Sequence, residues 1–384
     1  MILPSLSETA VALHVPVAAM GAALAIYLLG LGAALLVYGP VSDRLGRRPA
    51  IVCGCLLLIG GSIGCAAART LPHFLLFRAI QGIGAAGPGM AVFAMVRDLF
   101  AGEAARVRMS FVVLSINVVP MVAPTLGAGL MDLGGWRLIH AAPLVAALTV
   151  LSAIPHVEET LPRASGPVPV GILGPCRRIL ACRAFLGHAL CNAAAAGAVF
   201  AYITGSALVF IDVLGFSPTA YGLVFGASSL SVMAGAALNG RLTARGICPH
   251  RVIGISLAGA TLLPAMLLLH ALACPPAASP VIAAMAGMSL AFGLVSPNAM
   301  HGATEASPEA AGTAGAVVIC LQMIGAAIAS DLVARFFDGR SALSMAAVML
   351  GACLAAIAAY ASLARPAVLV PLPPRSHTEN PHDL

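Results

Sequence analysis

The chain has 384 residues, of which 60% are apolar and 9% charged, and its mean hydropathy is +1.00. A soluble domain carries about a quarter charged residues, so a surface this poor in charge must face lipid, which excludes soluble enzymes and secreted disulfide scaffolds. The formal charge of +6 resides in arginines between apolar runs, a pattern of membrane sidedness rather than of nucleic-acid binding.

Backbone groups in hydrocarbon must be satisfied within a helix or a closed barrel. The run Ala18–Tyr38 lacks the alternation of a barrel strand, so the expected class is an all-α polytopic membrane protein. Residues 1–17 lack the basic start of a cleavable leader. Each span needs roughly 20 apolar residues. The predicted spans are 18–39, 50–68, 72–96, 109–131, 136–154, 184–207, 219–239, 252–272, 279–300, 310–330 and 342–364. Placing the 40–49 loop in the cytoplasm puts Arg44, Arg47, Arg48, Arg97, Arg106, Arg108, Arg163, Arg177, Arg178, Arg183, Arg241, Arg245, Arg251, Arg365 and Arg375 on that side. The other side receives only Arg69, Arg137, Arg335 and Arg340. This bias predicts a cytoplasmic C-terminus and leaves Arg78 as the arginine inside a span.

Residues 1–154 are read as one helical bundle, 155–183 as a cytoplasmic linker, 184–364 as a second bundle and 365–384 as a disordered cytoplasmic tail. A weak repeat supports two halves, as transporters commonly have. At an offset of 197 residues, Arg44-Leu45 after the 18–39 span superposes on Arg241-Leu242 after the 219–239 span. Most of the ten cysteines lie inside apolar runs and read as small hydrophobes. No Cys/His spacing of a metal site and no nucleophile–base constellation is visible, so neither a metal nor an enzyme is expected.

Gly39-Pro40-Val41-Ser42-Asp43-Arg44-Leu45-Gly46-Arg47-Arg48-Pro49 resembles the loop between the second and third helices of the major facilitator superfamily. An ordinary positive-inside loop explains its arginines but not its ordered Gly/Asp/Gly pattern. The Bcr/CflA (bicyclomycin/chloramphenicol-resistance) exporters within that superfamily are resembled along nearly the whole chain. Arg78-Ala79-Ile80-Gln81-Gly82-Ile83-Gly84 is similar to their fourth helix. Ala123-Pro124-Thr125-Leu126-Gly127-Ala128-Gly129 and Gly135-Trp136-Arg137 are similar to the fifth helix and its exit. Ser296-Pro297-Asn298-Ala299-Met300 and Ala311-Gly312-Thr313-Ala314 are similar to the tenth and eleventh.

The resemblance implies two pseudo-symmetric bundles, twelve spans in the family against the eleven predicted, and proton-coupled export of drugs or small apolar metabolites. No cofactor is expected beyond the proton gradient. The expected partners are a small-molecule substrate, protons and the bilayer of the bacterial inner membrane, with no nucleic acid and a monomeric chain. Met1-Ile2-Leu3-Pro4-Ser5-Leu6 resembles the end of the family's first helix, which predicts a further span upstream. Gly39, Asp43, Arg44, Gly46 and Arg47 would form the cytoplasmic gate with Asp98 as partner.

Arg78 would couple substrate to proton, or snorkel to the interface. Gln81 would line the same cavity or bond another helix. Pro120, Pro124, Gly127 and Gly129 match an antiporter-associated motif only in part, and a packing kink explains them too. His188 and Asn192 share a helix face and could line the pathway or simply form a hydrogen-bonded contact. No carboxylate falls at the middle of a span. The proton carrier is then either upstream, or replaced by His188, or absent from a chain that is no antiporter. A major-facilitator importer and a truncated, non-transporting protein are the rival functions.

Overall fold

The computed structural model describes residues 2–160, 173–307 and 311–364, and all regular structure among them is helical. After a buried 3-10 turn at Leu3–Ser5 come α1 (Leu6–Ala12), α2 (Gly21–Leu45), α3 (Arg47–Ala67), α4 (Leu71–Leu99), α5 (Gly102–Leu138) and α6 (Ala141–Ala153). The second part holds α7 (Leu173–Ala181), α8 (Arg183–Ala207), α9 (Pro218–Ala244), α10 (Pro249–Ala273), α11 (Ala278–Glu305), α12 (Ala311–Arg335) and α13 (Leu343–Ala359).

Nine described helices are long and apolar enough to cross a membrane. The expected spans 109–131 and 136–154 fall on α5 and α6, which meet at a bend of 92°. The bend follows Gly134 and Gly135, whose backbone leaves the helical region, Gly135 at φ 69°.

The two parts repeat one packing scheme. In the first, α4 packs on both α2 and α3, and α3 on α6; in the second, α11 packs on both α9 and α10, and α10 on α13. Small residues make the closest of these contacts. Gly30 and Gly82 bring α2 and α4 together backbone to backbone, and Gly235 and Gly293 do the same for α9 and α11. Without a hydrophobic force between helices in lipid, such close packing is what holds a bundle together. Helix α8 packs on α11, α12 and α13 and is the most buried of the candidate spans. Among the described residues, the first part has no long helix in the corresponding place.

The halves meet along two seams, α2 against α12 and α5 against α9. Gly21 lies against Ala334, and Gly32 against Met323. Two details differ from the sequence reading. The 39–49 stretch is not a loop throughout, because α2 runs through Gly39 and Pro40 to Leu45 and the turn is confined to Gly46. Pro40 lies inside α2 without ending it, as a membrane helix permits when neighbouring groups re-satisfy the freed backbone carbonyl. The linker also contains α7, an amphipathic helix that buries Ile179 and exposes Arg177 and Arg178. The expected tail, 365–384, and linker residues 161–172 lie outside the described residues.

Candidate functional site

Gly46 adopts φ 105°, outside the range of ordinary L-residues, and this lets α3 begin one residue after α2 ends. The first backbone N–H groups of α3 then have no helical acceptors. The carboxylate of Glu159 takes them: Arg47 N–H donates at 2.8 Å and Arg48 N–H at 3.0 Å. A side chain at position 46 would strike that carboxylate. The Arg47 side chain is buried and spreads its donors over three partners, with Nε to Asp98 Oδ2 at 2.9 Å and Nη1 to Ser42 Oγ at 2.9 Å and to Asp43. Thr160 donates to the same Asp98 oxygen at 3.3 Å. Thus one guanidinium ties α2, α3 and α4 together, and Glu159 and Thr160 attach the start of the linker to the same cluster. Asp43, Gly46, Arg47 and Asp98 come together as the sequence suggested. Arg44 is exposed and stands apart, and Gly39 lies inside α2 with only Met90 within reach of a Cβ.

Farther along the same half, Arg78 is 6% exposed. Its Nε donates to the carbonyl of Ala23 on α2 at 3.1 Å and its Nη1 to Gln81 Oε1 at 2.5 Å. The guanidinium lies 4.4 Å from the ring centroid of Tyr27, within cation–π range. Gln81 passes the chain of bonds on, donating to Ser62 Oγ on α3 at 2.9 Å, and Ser62 donates to Leu58 O at 2.7 Å. Arg78 and Gln81 therefore share one centre. Among the described residues no carboxylate faces this cation; only a carbonyl, an amide and a ring do.

In the other half, His188 and Asn192 diverge. Asn192 is fully buried and donates to Gln322 Oε1 on α12 at 2.9 Å. The His188 ring packs on Gly302 of α11, 6.0 Å from the His250 ring and 5.7 Å from the Tyr360 ring. His250 and Tyr360 are themselves hydrogen-bonded. His188 Nδ1 is buried with no hydrogen-bond partner among the described residues. Further polar pairs tie α8 to its neighbours: Tyr202 with Ser289 at 2.7 Å and Thr204 with Ser330 at 2.5 Å.

Two halves of one packing scheme, joined at α2/α12 and α5/α9, with buried polar centres in each, have a match among known proteins. Residues 1–330 match the profile of the Major Facilitator Superfamily. The chain belongs to that superfamily. An MFS-type transporter of Bacillus subtilis is 30% identical over 91% of this chain and 87% of its own. The chloramphenicol resistance protein of Pseudomonas aeruginosa is 30% identical over 84% and 76%, and the bicyclomycin resistance protein homolog of Haemophilus influenzae 27% identical over 87% and 84%. The xylose transporter of Escherichia coli, in a partially occluded inward-open conformation, superposes with a TM-score of 0.66 over 90% of this chain and 87% of that one, at 15% identity. The chain is a multi-pass membrane transporter of this superfamily and not an enzyme.

Within this facilitator fold the Pro/Gly run sits on α5. Pro124 and Gly127 are buried, Gly129 is exposed with no atom within 4 Å of an added Cβ, and the side chain of Pro120 lies outside the described residues. The close approach of α5 to α9 is made instead by Gly222 of α9 against Thr125. Sequence reasoning passed over Tyr27, Ser42, Ser62, Gln322 and the capping role of Glu159. Ser62 and Gln322 did carry a signal, being polar residues inside apolar spans. Glu159 and Tyr27 carried none, since their roles depend on contacts across 112 positions and between helices.

Proposed function

We propose that this chain exports drugs or small, mostly apolar metabolites across the bacterial inner membrane, driven by the proton gradient and working as a monomer by alternating access. The observation that carries this reading is the buried Arg78 centre, a fixed cation inside the bundle without a carboxylate facing it among the described residues. An ion buried in a membrane protein is costly and is retained for function by default. A fixed positive charge lowers the proton affinity of any acid that approaches it and raises it again as the acid withdraws. Rocking of the halves would make that approach periodic, which couples proton release to the transport step.

In this reading the Arg47 end is cytoplasmic, together with the C-terminus. Asp43, Arg47 and Asp98 belong to the inner gate, where they fix the ends of α2, α3 and α4 as one rigid body. Rigid coupling of these ends allows the half to rock as a unit, and Glu159 extends the coupling to the linker. Gln81 orients the Arg78 guanidinium, while Asn192 with Gln322 places neutral hydrogen-bonding groups in the opposite half. The names of the chloramphenicol- and bicyclomycin-resistance relatives favour efflux over import.

The test is dye and drug extrusion from an efflux-deficient host expressing the chain. Extrusion that an uncoupler abolishes supports the proposal. Failure to extrude anything across a broad panel, or extrusion indifferent to the uncoupler, overturns it.

A further inference from the structure

At the end remote from Arg47, polar contacts between the halves take one repeated form. Thr219, in the first turn of α9, donates from Oγ1 to Asp132 Oδ2 on α5 at 3.2 Å. Ser7, on α1, donates from Oγ to both carboxylate oxygens of Asp212, at 2.8 and 2.9 Å, just past the end of α8. The segment bearing Ser7 is fixed to the first half, because Glu8 accepts the backbone N–H of Trp136 at 3.2 Å beside the Gly135 turn. Each half thus contributes one carboxylate, and each carboxylate receives a hydroxyl from the opposite half.

Behind these contacts lies an apolar seal. Leu3, Leu6 and Leu13 of the first segment are buried in one cluster with Tyr202, Phe210 and Tyr221 of the second half. Among the described residues, the side-chain hydrogen bonds that cross between halves are all of this set. The Arg47 cluster, by contrast, is contained within the first half.

We propose that Asp132 and Asp212 are the acceptors, and Thr219 and Ser7 the donors, of a reciprocal latch that holds this end of the transporter closed. The proposal rests on the alternating-access reading above and adds to it the residues that set the balance between its two states. An ionised carboxylate is the stronger acceptor for a hydroxyl, and Asp132 also lies at the N-terminus of α9, where a negative charge is favoured. Losing one such bond shifts the closed-to-open ratio about fivefold, and losing both shifts it about 25-fold if the two are independent. The Arg47 cluster makes its hydrogen bonds within the first half, so these four residues supply the polar contacts between halves that act on the equilibrium.

The chain carries its own reporter, since Trp136 is its single tryptophan and lies in the first half at this end. Cys274, exposed at the end of α10, is in the second. Energy transfer from Trp136 to an acceptor attached at Cys274 is read on purified protein in nanodiscs. The exposed Cys53 and Cys248 are replaced (C53A, C248S), and the label is located by peptide mapping. Transfer should fall in Thr219→Val, in Ser7→Ala, and further in the double variant. It should return to the parent value in Thr219→Ser and Ser7→Thr, which keep the hydroxyl. Unchanged transfer in the double variant overturns the latch, as does equal loss in the variants that keep the hydroxyl. Transfer that responds as expected in a chain that extrudes no drug would instead count against the export reading and leave the latch standing.

Discussion

Adding one methyl group at Gly82 should damage this protein, while adding the same group seven residues later on the same helix should not. A Cβ at Gly82 would lie 2.2 Å from the carbonyl oxygen of Tyr27, 3.0 Å from its carbonyl carbon and 3.1 Å from the nitrogen of Leu31. All three are backbone atoms of α2, so no side chain can swing aside. The first contact is about 1.2 Å short of ordinary separation, and α2 and α4 must part to restore it. Parting them draws Arg78 away from Ala23 O, one turn along the same face. Overpacking of this kind costs about 1–3 kcal/mol, and backbone-to-backbone conflict belongs at the upper end. Alanine recovers about 1 kcal/mol through its better helix propensity, leaving a net loss of about 2 kcal/mol. At Gly89, exposed and with no atom within 4 Å of an added Cβ, only the propensity gain remains. Melting of the purified variants should therefore move in opposite directions, and efflux should fall in Gly82→Ala alone. Equal behaviour of the two variants would refute the claim that close α2/α4 packing holds the Arg78 centre.

Arg47→Lys should slow efflux several-fold, because a single ammonium cannot span Ser42, Asp43 and Asp98 at once. Asp98→Asn should do likewise, and the double variant should fall well short of the product of the two, measured as initial extrusion rates. Arg78→Gln should abolish uncoupler-sensitive extrusion while leaving the melting temperature nearly unchanged, since the lost hydrogen bonds are offset by relief of a buried charge; dye-induced proton release checks it. In the turn between α12 and α13, burial raises the pKa of Asp338. The N–H groups of Arg340 and Ser341 and the Ser341 hydroxyl outweigh that and hold it below the usual carboxylate value. A depressed folded value means that the stabilisation is present above the unfolded value of about 3.9 and is lost as the pH falls through the folded one. Asp338→Asn should therefore lower the melting temperature slightly at neutral pH, and the difference from the parent should shrink in a melting series taken below pH 4.

Helical class, two halves and most span positions were legible because each depends on properties that recur within a local window. Mean hydropathy needs no tertiary information, and lipid removes the amphipathic ambiguity that troubles soluble chains. The α5/α6 region was less legible. The segment 136–154 reads as a span by hydropathy, but Gly134 and Gly135 turn the chain by a conformation that hydropathy does not record. Helix α7 was missed for the opposite reason: nine residues with two exposed arginines average to a polar linker, although Ile179 alone fixes one face.

The site was legible where chemistry follows the chain and obscure where it crosses it. Arg78 and Gln81 are one helical turn apart, so their pairing follows from helical spacing, and Asp43 and Arg47 are only four positions apart across the Gly46 turn. Asp98 lies 51 positions from Arg47 and could be assigned to it only through resemblance. Glu159, Tyr27 and the reciprocal Asp132–Thr219 and Asp212–Ser7 contacts had no such guide. Asp212 is exposed just past the end of α8, yet the hydroxyl it receives comes from 205 positions away. Exposure and function are compatible at a gate, because a polar contact that must open in every cycle is rehydrated at once when it lies at the surface. The same reasoning separates the two polar systems of the first half. The Arg47 network is centred on a buried guanidinium and tied at several points within one body, as a rigid element should be. The Ser7 and Thr219 contacts are few, exposed and made to the other body, as a releasable one should be.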